Sequence, residues 1–140
     1  MIQDLHPDAG VLRGVVALTV NGASSAVSFT LDDETGSSPA ASEAERLVAQ
    51  WNGFLGRVDL DALLRRIAVE VNECCWSQSD FEPTPQDHDD LVADMWLAEV
   101  RAHQHDLALW LRSRSALPDM QIVATVGQDG EVEDLEIIEL

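Results

Sequence analysis

The chain has 140 residues, enough for a single domain spanning 1–140 with a buried core, and its hydrophobic content of 46% is ordinary for a globular protein. The charge is not ordinary, because 26 acidic residues stand against 8 basic ones, all arginine, for a formal net charge of -18 at pH 7. Nucleic acids and anionic membranes are bound through Lys and Arg, so this composition argues against both as partners.

The first predicted elements form a β-hairpin. VLRGVVALTV (11–20) is rich in β-branched residues, and AVSFTL (26–31) alternates apolar and polar residues, as a strand with one buried face does. Asn21 and Gly22 between them are a strong hairpin signal. The small polar residues that follow suggest a loop of more than two residues.

A helix is predicted after the turn-rich segment 32–42. Ser42 and Glu45 have the spacing of a capping box, in which two side chains satisfy free backbone N–H groups at a helix start. Apolar residues from Leu47 to Val58 then recur at helical spacing. This pattern predicts the first helix.

A second helix is predicted to begin at Asp59, a residue type that caps helices well. Its apolar stripe runs from Leu60 to Val71 and continues to one of two adjacent cysteines. The polar, proline-containing segment 77–87 follows. It is predicted to be a loop, and loops of this kind often contact partners.

The longest predicted helix runs from about Asp89 to Ser113. One histidine falls on its apolar face, between two tryptophans that lie seven residues before and seven residues after it. The residues assigned to that face are Val92, Trp96, Val100, His103, Leu107, Trp110 and Leu111. Trp51 of the first helix is assigned to the core in the same way.

The chain is predicted to close with a second hairpin. MQIVATV (120–126) and EVEDLEIIE (131–139) read as strands joined across Gly127 to Gly130. The predicted order is therefore ββ-ααα-ββ. This indicates an α+β fold in which an antiparallel sheet from the N- and C-terminal hairpins packs against a central set of three helices.

HQH (103–105) raises the question of a metal or catalytic site. On a helix, His103 and His105 point to opposite sides and cannot bind one ion together. The favoured interpretation is a structural His103 hydrogen-bonded to Glu99 or Asp106. Glu99, His103 and Asp106 together are the alternative metal or catalytic site, although no cofactor is expected.

The cysteines and the N-terminus indicate a reducing compartment. Cys74 and Cys75 are adjacent in sequence, cannot join distant parts of a fold, and are expected to be thiols. Neither a signal peptide nor an apolar run of ~18 residues is visible. A cytoplasmic location is the expectation.

Three segments carry a resemblance to known proteins. They are GVVALTVNGASSAVSFTLDD (14–33), RIAVEVNECCW (66–76) and the closing hairpin with Asp129 and Gly130. In these segments and in the order of elements, the chain resembles small bacterial domains of unknown function, some of which are similar to immunity proteins against polymorphic toxins. The resemblance implies a protein that covers a toxin or effector, and it assigns no site residues.

The function predicted from these features is binding without catalysis, since no catalytic motif is recognisable in the sequence. A field of acidic charge attracts a basic protein partner, such as a toxin or effector, although the same acidity also keeps a protein soluble. The predicted contacts combine aromatic and acidic residues at the end of the second helix and beyond it. They are Trp76, Asp80, Phe81, Glu82, Asp87, Asp89 and Asp90.

Two alternatives belong to other classes of protein. One is a small metal-dependent hydrolase that uses Glu99, His103 and Asp106. The other is a homodimeric structural subunit whose exposed edge strands pair with a second copy.

Overall fold

The computed structural model of the protein describes residues 2–32, 41–75 and 82–140. Within these ranges the chain forms seven strands and three helices. In chain order they are β1 (Ile2–Asp8), β2 (Val11–Val20), β3 (Ala23–Leu31), α1 (Ala41–Arg57), α2 (Leu60–Cys75), α3 (Pro85–Asp94), β4 (Met95–Ala102), β5 (Asp106–Ser113), β6 (Met120–Gly127) and β7 (Val132–Glu139).

The seven strands form one sheet whose order follows the chain from β1 to β7. Neighbours are antiparallel except β3 and β4, which pair in parallel from Ser28 opposite Glu99 to Leu31 opposite Ala102. A parallel pair needs a long crossover, and the three helices lie in that connection. The predicted α+β class is confirmed, but the predicted ββ-ααα-ββ order is wrong, because the described elements run βββ-ααα-ββββ.

The N-terminal hairpin is confirmed, and its loop is shorter than predicted. Asn21 and Gly22 have φ angles of 52° and 77°, the left-handed pair that a two-residue turn between twisted strands requires. Ala9 and Gly10 repeat this geometry between β1 and β2, with φ angles of 50° and 85°. Strand β1 was not predicted, because Pro7 and the polar residues around it do not resemble a central strand.

The predicted long helix is the main error. Helix α3 ends at Asp94, and the segment assigned to its last five turns forms the β4–β5 hairpin. The same apolar residues fit both periods, since Leu107 and Leu111, four residues apart, share one face of a helix and also share one face of a strand. The His103–Asp106 turn contains no Gly, Pro or Asn to mark it, and its backbone bond from His103 N–H to the Asp106 carbonyl is 3.0 Å long.

One face of the sheet is covered by the helices and forms the core. Leucine and isoleucine side chains of α1 and α2 pack against alternate residues of β2 to β6. Trp51 lies fully buried at this contact, as predicted, and its Nε1 donates to the His103 carbonyl at 2.8 Å. Further fully buried members of this helix-covered face are Phe29, Leu31, Val100, Leu107, Leu109, Leu111, Ile122, Ala124 and Val126.

The opposite face of the sheet, called the open face below, has no described helix packed on it. Its residues are those that alternate with the core residues along the strands. In register across the central and last strands they are Ser28, Thr30, Trp96, Glu99, Arg101, Ala108, Trp110, Arg112, Gln121, Val123, Thr125, Asp134, Glu136 and Ile138.

Side-chain caps define the helix boundaries. Asp59 Oδ1 accepts from Ala62 N–H at 3.1 Å, which confirms Asp59 as the cap of α2. The first helix begins at Ala41, so Ser42 lies inside it and does not occupy the predicted cap position. None of the described helices combines the length and apolar character needed to cross a membrane.

Candidate functional site

The acidic residues predicted to bind a partner lie on and just before α3. Thr84 and Asp87 form a capping box there, with Thr84 N–H donating to Asp87 Oδ2 at 2.8 Å. Hydrogen bonds from the Thr84 backbone and hydroxyl lower the pKa of Asp87 below its usual value. Asp87 therefore stabilises the start of α3 and keeps its negative charge.

Two other predicted acids are exposed and have partners within the chain. Asp89 pairs with Arg65 of α2, and Asp90 accepts a hydrogen bond of 2.8 Å from Gln86. Glu82 is exposed before the helix begins. A carboxylate has about four acceptor sites, so these residues keep capacity for a partner's cation.

Helices α2 and α3 together form an acidic notch of about 310 Å³. Asp61 and Asp89 line it, with Arg65 between the helices and Val92 among the apolar residues. Asp61 Oδ1 also accepts from Asn21 N–H at 2.9 Å, which joins the notch to the turn between β2 and β3. The notch brings Asp89 near Asp61, an acid that was not among the predicted partner contacts.

Three predicted contact residues cannot be placed. Trp76, Asp80 and Phe81 lie outside the described residues. Their assignment to a partner surface stays a prediction.

His103 is positioned by the parallel pairing of β3 and β4, and not by a helix. Because Leu31 pairs with Ala102, the residues that follow them meet, and His103 Nδ1 lies 2.5 Å from Asp32 Oδ1. The predicted partners Glu99 and Asp106 are therefore wrong for the ring, although the His103 N–H donates to the Asp106 carbonyl. A carboxylate at Nδ1 fixes the ring orientation and leaves Nε2 to accept.

The cavity beside this pair measures about 350 Å³ and is lined by His103, Asp106, Ala108 and Thr125. An oriented imidazole next to a hydroxyl is a minimal general-base arrangement. Glu99 does not line the cavity, since its Oε1 accepts from Thr30 Oγ1 at 2.8 Å in the middle of the open face. Within the described residues, no three His, Cys, Asp or Glu side chains are grouped to hold a metal ion.

A cavity of about 440 Å³ lies between β2 and the α1–α2 junction. Leu18, Leu55 and Leu60 are among the residues that line it, and Asn52 supplies its amide. The described lining contains no ionisable side chain, so the cavity offers space without acid–base chemistry.

Two tryptophans that the sequence analysis assigned to the apolar helix face meet three arginines on the open face. The guanidinium of Arg101 lies 4.5 Å from the Trp110 ring centre, and those of Arg112 and Arg114 lie 6.0 Å and 5.7 Å from Trp96. Such cation–π contacts hold planar side chains in place. Trp96 is nevertheless 40% exposed, so its predicted place in the core is wrong.

This cluster contains hydrogen-bond donors without acceptors. Trp110 Nε1 and Arg112 Nε are buried and have no partner in the described part of the chain. Arg112 and Arg114 also form no ion pair with a described carboxylate, although acids outnumber arginines threefold. A strand assignment for 95–113 would have revealed the cluster, because alternation places Trp110 and Arg112 on one face.

No protein-family model, curated protein or solved structure matches the chain. The candidate surfaces are therefore defined by their own chemistry. They are the acidic notch, the Asp32–His103 pair and the open face.

Proposed function

We propose that this protein is a non-enzymatic acidic binding protein that neutralises a basic protein partner, in the manner of a bacterial immunity or inhibitor protein. The observation that supports it best is the excess of acid that the fold leaves at its surface. Arginines pair with only five of the described acids: Asp8, Glu43, Asp89, Glu99 and Glu131. The other carboxylates produce a negative field that accelerates association with a basic protein.

The acidic notch is the proposed contact for the partner's cationic side chains. Asp61 and Asp89 line the notch and are exposed, and Arg65 neutralises only part of their charge. Asp90, the next residue in α3, is also exposed. The proposed contact also includes Glu82, which is exposed before α3, and the predicted residues Trp76, Asp80 and Phe81. A guanidinium is a suitable ligand for the notch, because it binds carboxylates through paired hydrogen bonds.

The test measures binding of a short fluorescent oligoarginine peptide by anisotropy at low and moderate salt. The variant combines Asp61→Asn, Asp89→Asn and Asp90→Asn, and it keeps the Thr84–Asp87 cap intact. Its control combines Glu45→Gln, Glu133→Gln and Glu139→Gln, three exposed acids that line neither the notch nor the open face, and removes the same charge. We expect the notch variant to weaken binding at least tenfold and to reduce its salt dependence, with a much smaller change in the control.

Equal losses in the two triple variants would show that the notch is not the contact. For the natural partner, we expect the native chain to recover one basic protein from a cell lysate. The notch variant should fail to recover it. If oligoarginine binds neither form at low salt, the proposed function is wrong.

A second candidate, a small hydrolase, is favoured only by the orientation of His103 by Asp32. We propose hydrolysis as a second function, with His103 as general base at the cavity that Asp106 and Thr125 line. Hydrolysis of ester substrates by the native chain, lost in His103→Gln, would favour it over the binding role, and metal analysis of both proteins tests the metal-dependent form.

A further inference from the structure

We infer that the open face is an interface between two copies of this chain. The two copies stack sheet on sheet, related by a twofold axis that runs along the strands between β5 and β6. This role goes beyond the proposed binding of a basic protein and uses a different surface.

The apolar residues of the open face support this arrangement. The described residues include three exposed large apolar side chains: Trp96, Ile138 and the C-terminal Leu140. Trp96 and Ile138, 40% and 41% exposed, lie in one row across the sheet, in which Trp96 pairs with Arg112, Arg112 with Gln121 and Gln121 with Ile138. The twofold axis exchanges β4 with β7, so Trp96 of one copy covers Ile138 of the other.

The charges of the open face divide in the way that this symmetry requires, with Glu99 on β4 as the exception. Arg101 and Arg112 lie on β4 and β5, whereas Asp134 and Glu136 lie on β7. A twofold interface must be complementary to itself, so that each copy offers what the other needs. In the adjacent row Arg101 pairs with Ala108, Ala108 with Thr125 and Thr125 with Asp134, so the axis places Arg101 opposite Asp134 of the second copy.

The same arrangement places further polar residues opposite one another. Arg112 lies opposite Gln121 of the second copy, whose side-chain carbonyl can accept from the terminal N–H groups of the guanidinium. Glu99 lies opposite Glu136 of the second copy, and the charge of Glu99 is offset by Arg101, whose Nε lies 3.3 Å from Glu99 Oε1.

The overlap of the two open faces suits a weak dimer. With the axis between β5 and β6, four strands of each copy face each other, and four strands spaced about 4.8 Å apart and eight residues long cover roughly 19 Å by 26 Å, or about 500 Å² per copy. Stable specific interfaces bury about 800 Å² per partner, so the dimer is expected to dissociate on dilution. Aligned sheets also pack at about -30° with their side chains interdigitated, which the small Ala108 and Thr125 between the larger residues permit.

Salt has opposite expected effects on this dimer and on a complex with a basic protein. Each copy carries a net charge of -18, so long-range repulsion opposes association when screening is weak. Dimers should therefore become more stable as salt rises, whereas a complex with a basic partner becomes weaker. The two proposals can fail independently.

The experiment is sedimentation equilibrium of the full chain at about 0.05 M and about 0.5 M NaCl, where screening lengths differ roughly threefold. We expect a mass approaching twice 15.3 kDa, with a smaller dissociation constant at the higher salt. Asp134→Arg and Ile138→Lys should each raise that constant at least tenfold. Glu139→Arg is the control, because it makes the same charge change on β7 while alternation places it away from the open face.

A mass of 15.3 kDa at both salt concentrations would overturn the proposal. A dimer that resists Asp134→Arg and Ile138→Lys would also overturn it, and would indicate pairing of edge strands. Circular dichroism of each variant establishes that the sheet is intact, and both substituted residues are exposed, so loss of folding is not expected.

Discussion

The two faces of the sheet are made of alternate residues from the same strands, yet their chemistry differs. On β5, Leu109 and Leu111 are fully buried beneath the helices, while Trp110 and Arg112 lie on the open face. Burial of aliphatic area explains the first pair completely. It does not explain why two tryptophans and three arginines gather on a face that short polar residues could have filled, so the composition of the open face needs a reason other than aliphatic burial.

The largest expected effect compares one substitution on both faces of β6. Val126→Ala removes two methyl groups from the fully buried core, and Val123→Ala removes them from the half-buried open face. We expect losses in the free energy of unfolding of about 2 kcal/mol and below about 1 kcal/mol respectively, because a cavity forms only in the closed core. Urea denaturation of dilute monomer measures both values.

Equal losses in the two valine variants would contradict this difference between the faces. In that case the open face would be covered in solution by something that the described residues do not include. Repeating the measurement over a range of protein concentrations identifies whether that cover is a second copy.

The next largest effect concerns Asp94, an acid held by hydrogen bonds, in contrast to the solvated acids of the notch. Asp94 accepts from Ser113 Oγ at 2.5 Å, Ala116 N–H at 2.9 Å and Ser115 Oγ at 2.7 Å. These bonds join the end of α3 to the β5–β6 loop and hold the pKa of Asp94 well below its usual range. Asp94→Ala should lower the free energy of unfolding by about 1.5 kcal/mol near neutral pH.

The sign of the pH dependence follows from that lowered pKa. The folded protein holds Asp94 charged at pH values where the unfolded chain, with a pKa of about 3.9, already binds a proton. The stabilisation is therefore complete above about pH 4 and is lost as the pH falls through the folded pKa. The gap between native protein and Asp94→Ala should narrow below about pH 4, and a constant gap down to pH 2 would show that the loop is held by other contacts.

The sequence predicts the β2–β3 turn, the start of α2 and strand β6 well, because their signals are local. Asn21 and Gly22 specify a turn, Asp59 caps α2, and MQIVATV alternates as β6 does. Each of these features is decided by a few neighbouring residues. Nothing distant is needed to recognise them.

The centre of the sheet and the candidate sites are not predictable in the same way. Segment 95–113 is rich in Leu and Ala, which favour helices, and it becomes strands because β3 and β6 supply hydrogen-bonding edges on both sides. Asp32 meets His103 only through that parallel register, across the whole helical crossover. The tryptophan–arginine cluster also depends on this segment forming strands. On a helix, Arg101 and Trp110 would lie on opposite sides.

The smallest expected effect lies within the open face itself. Arg112 and Arg114 both stack near Trp96, so removing one leaves the other in place, and Arg114→Gln should change the free energy of unfolding by less than about 0.5 kcal/mol. Arg101→Gln should cost more, up to about 1 kcal/mol, because Arg101 alone stacks on Trp110 and also contacts Glu99. Thermal and urea unfolding of dilute protein can rank the two. The reverse order would mean that Arg114 has a structural role. If the expected order is found, we expect loss of Arg114 to weaken the dimer more than it weakens the fold.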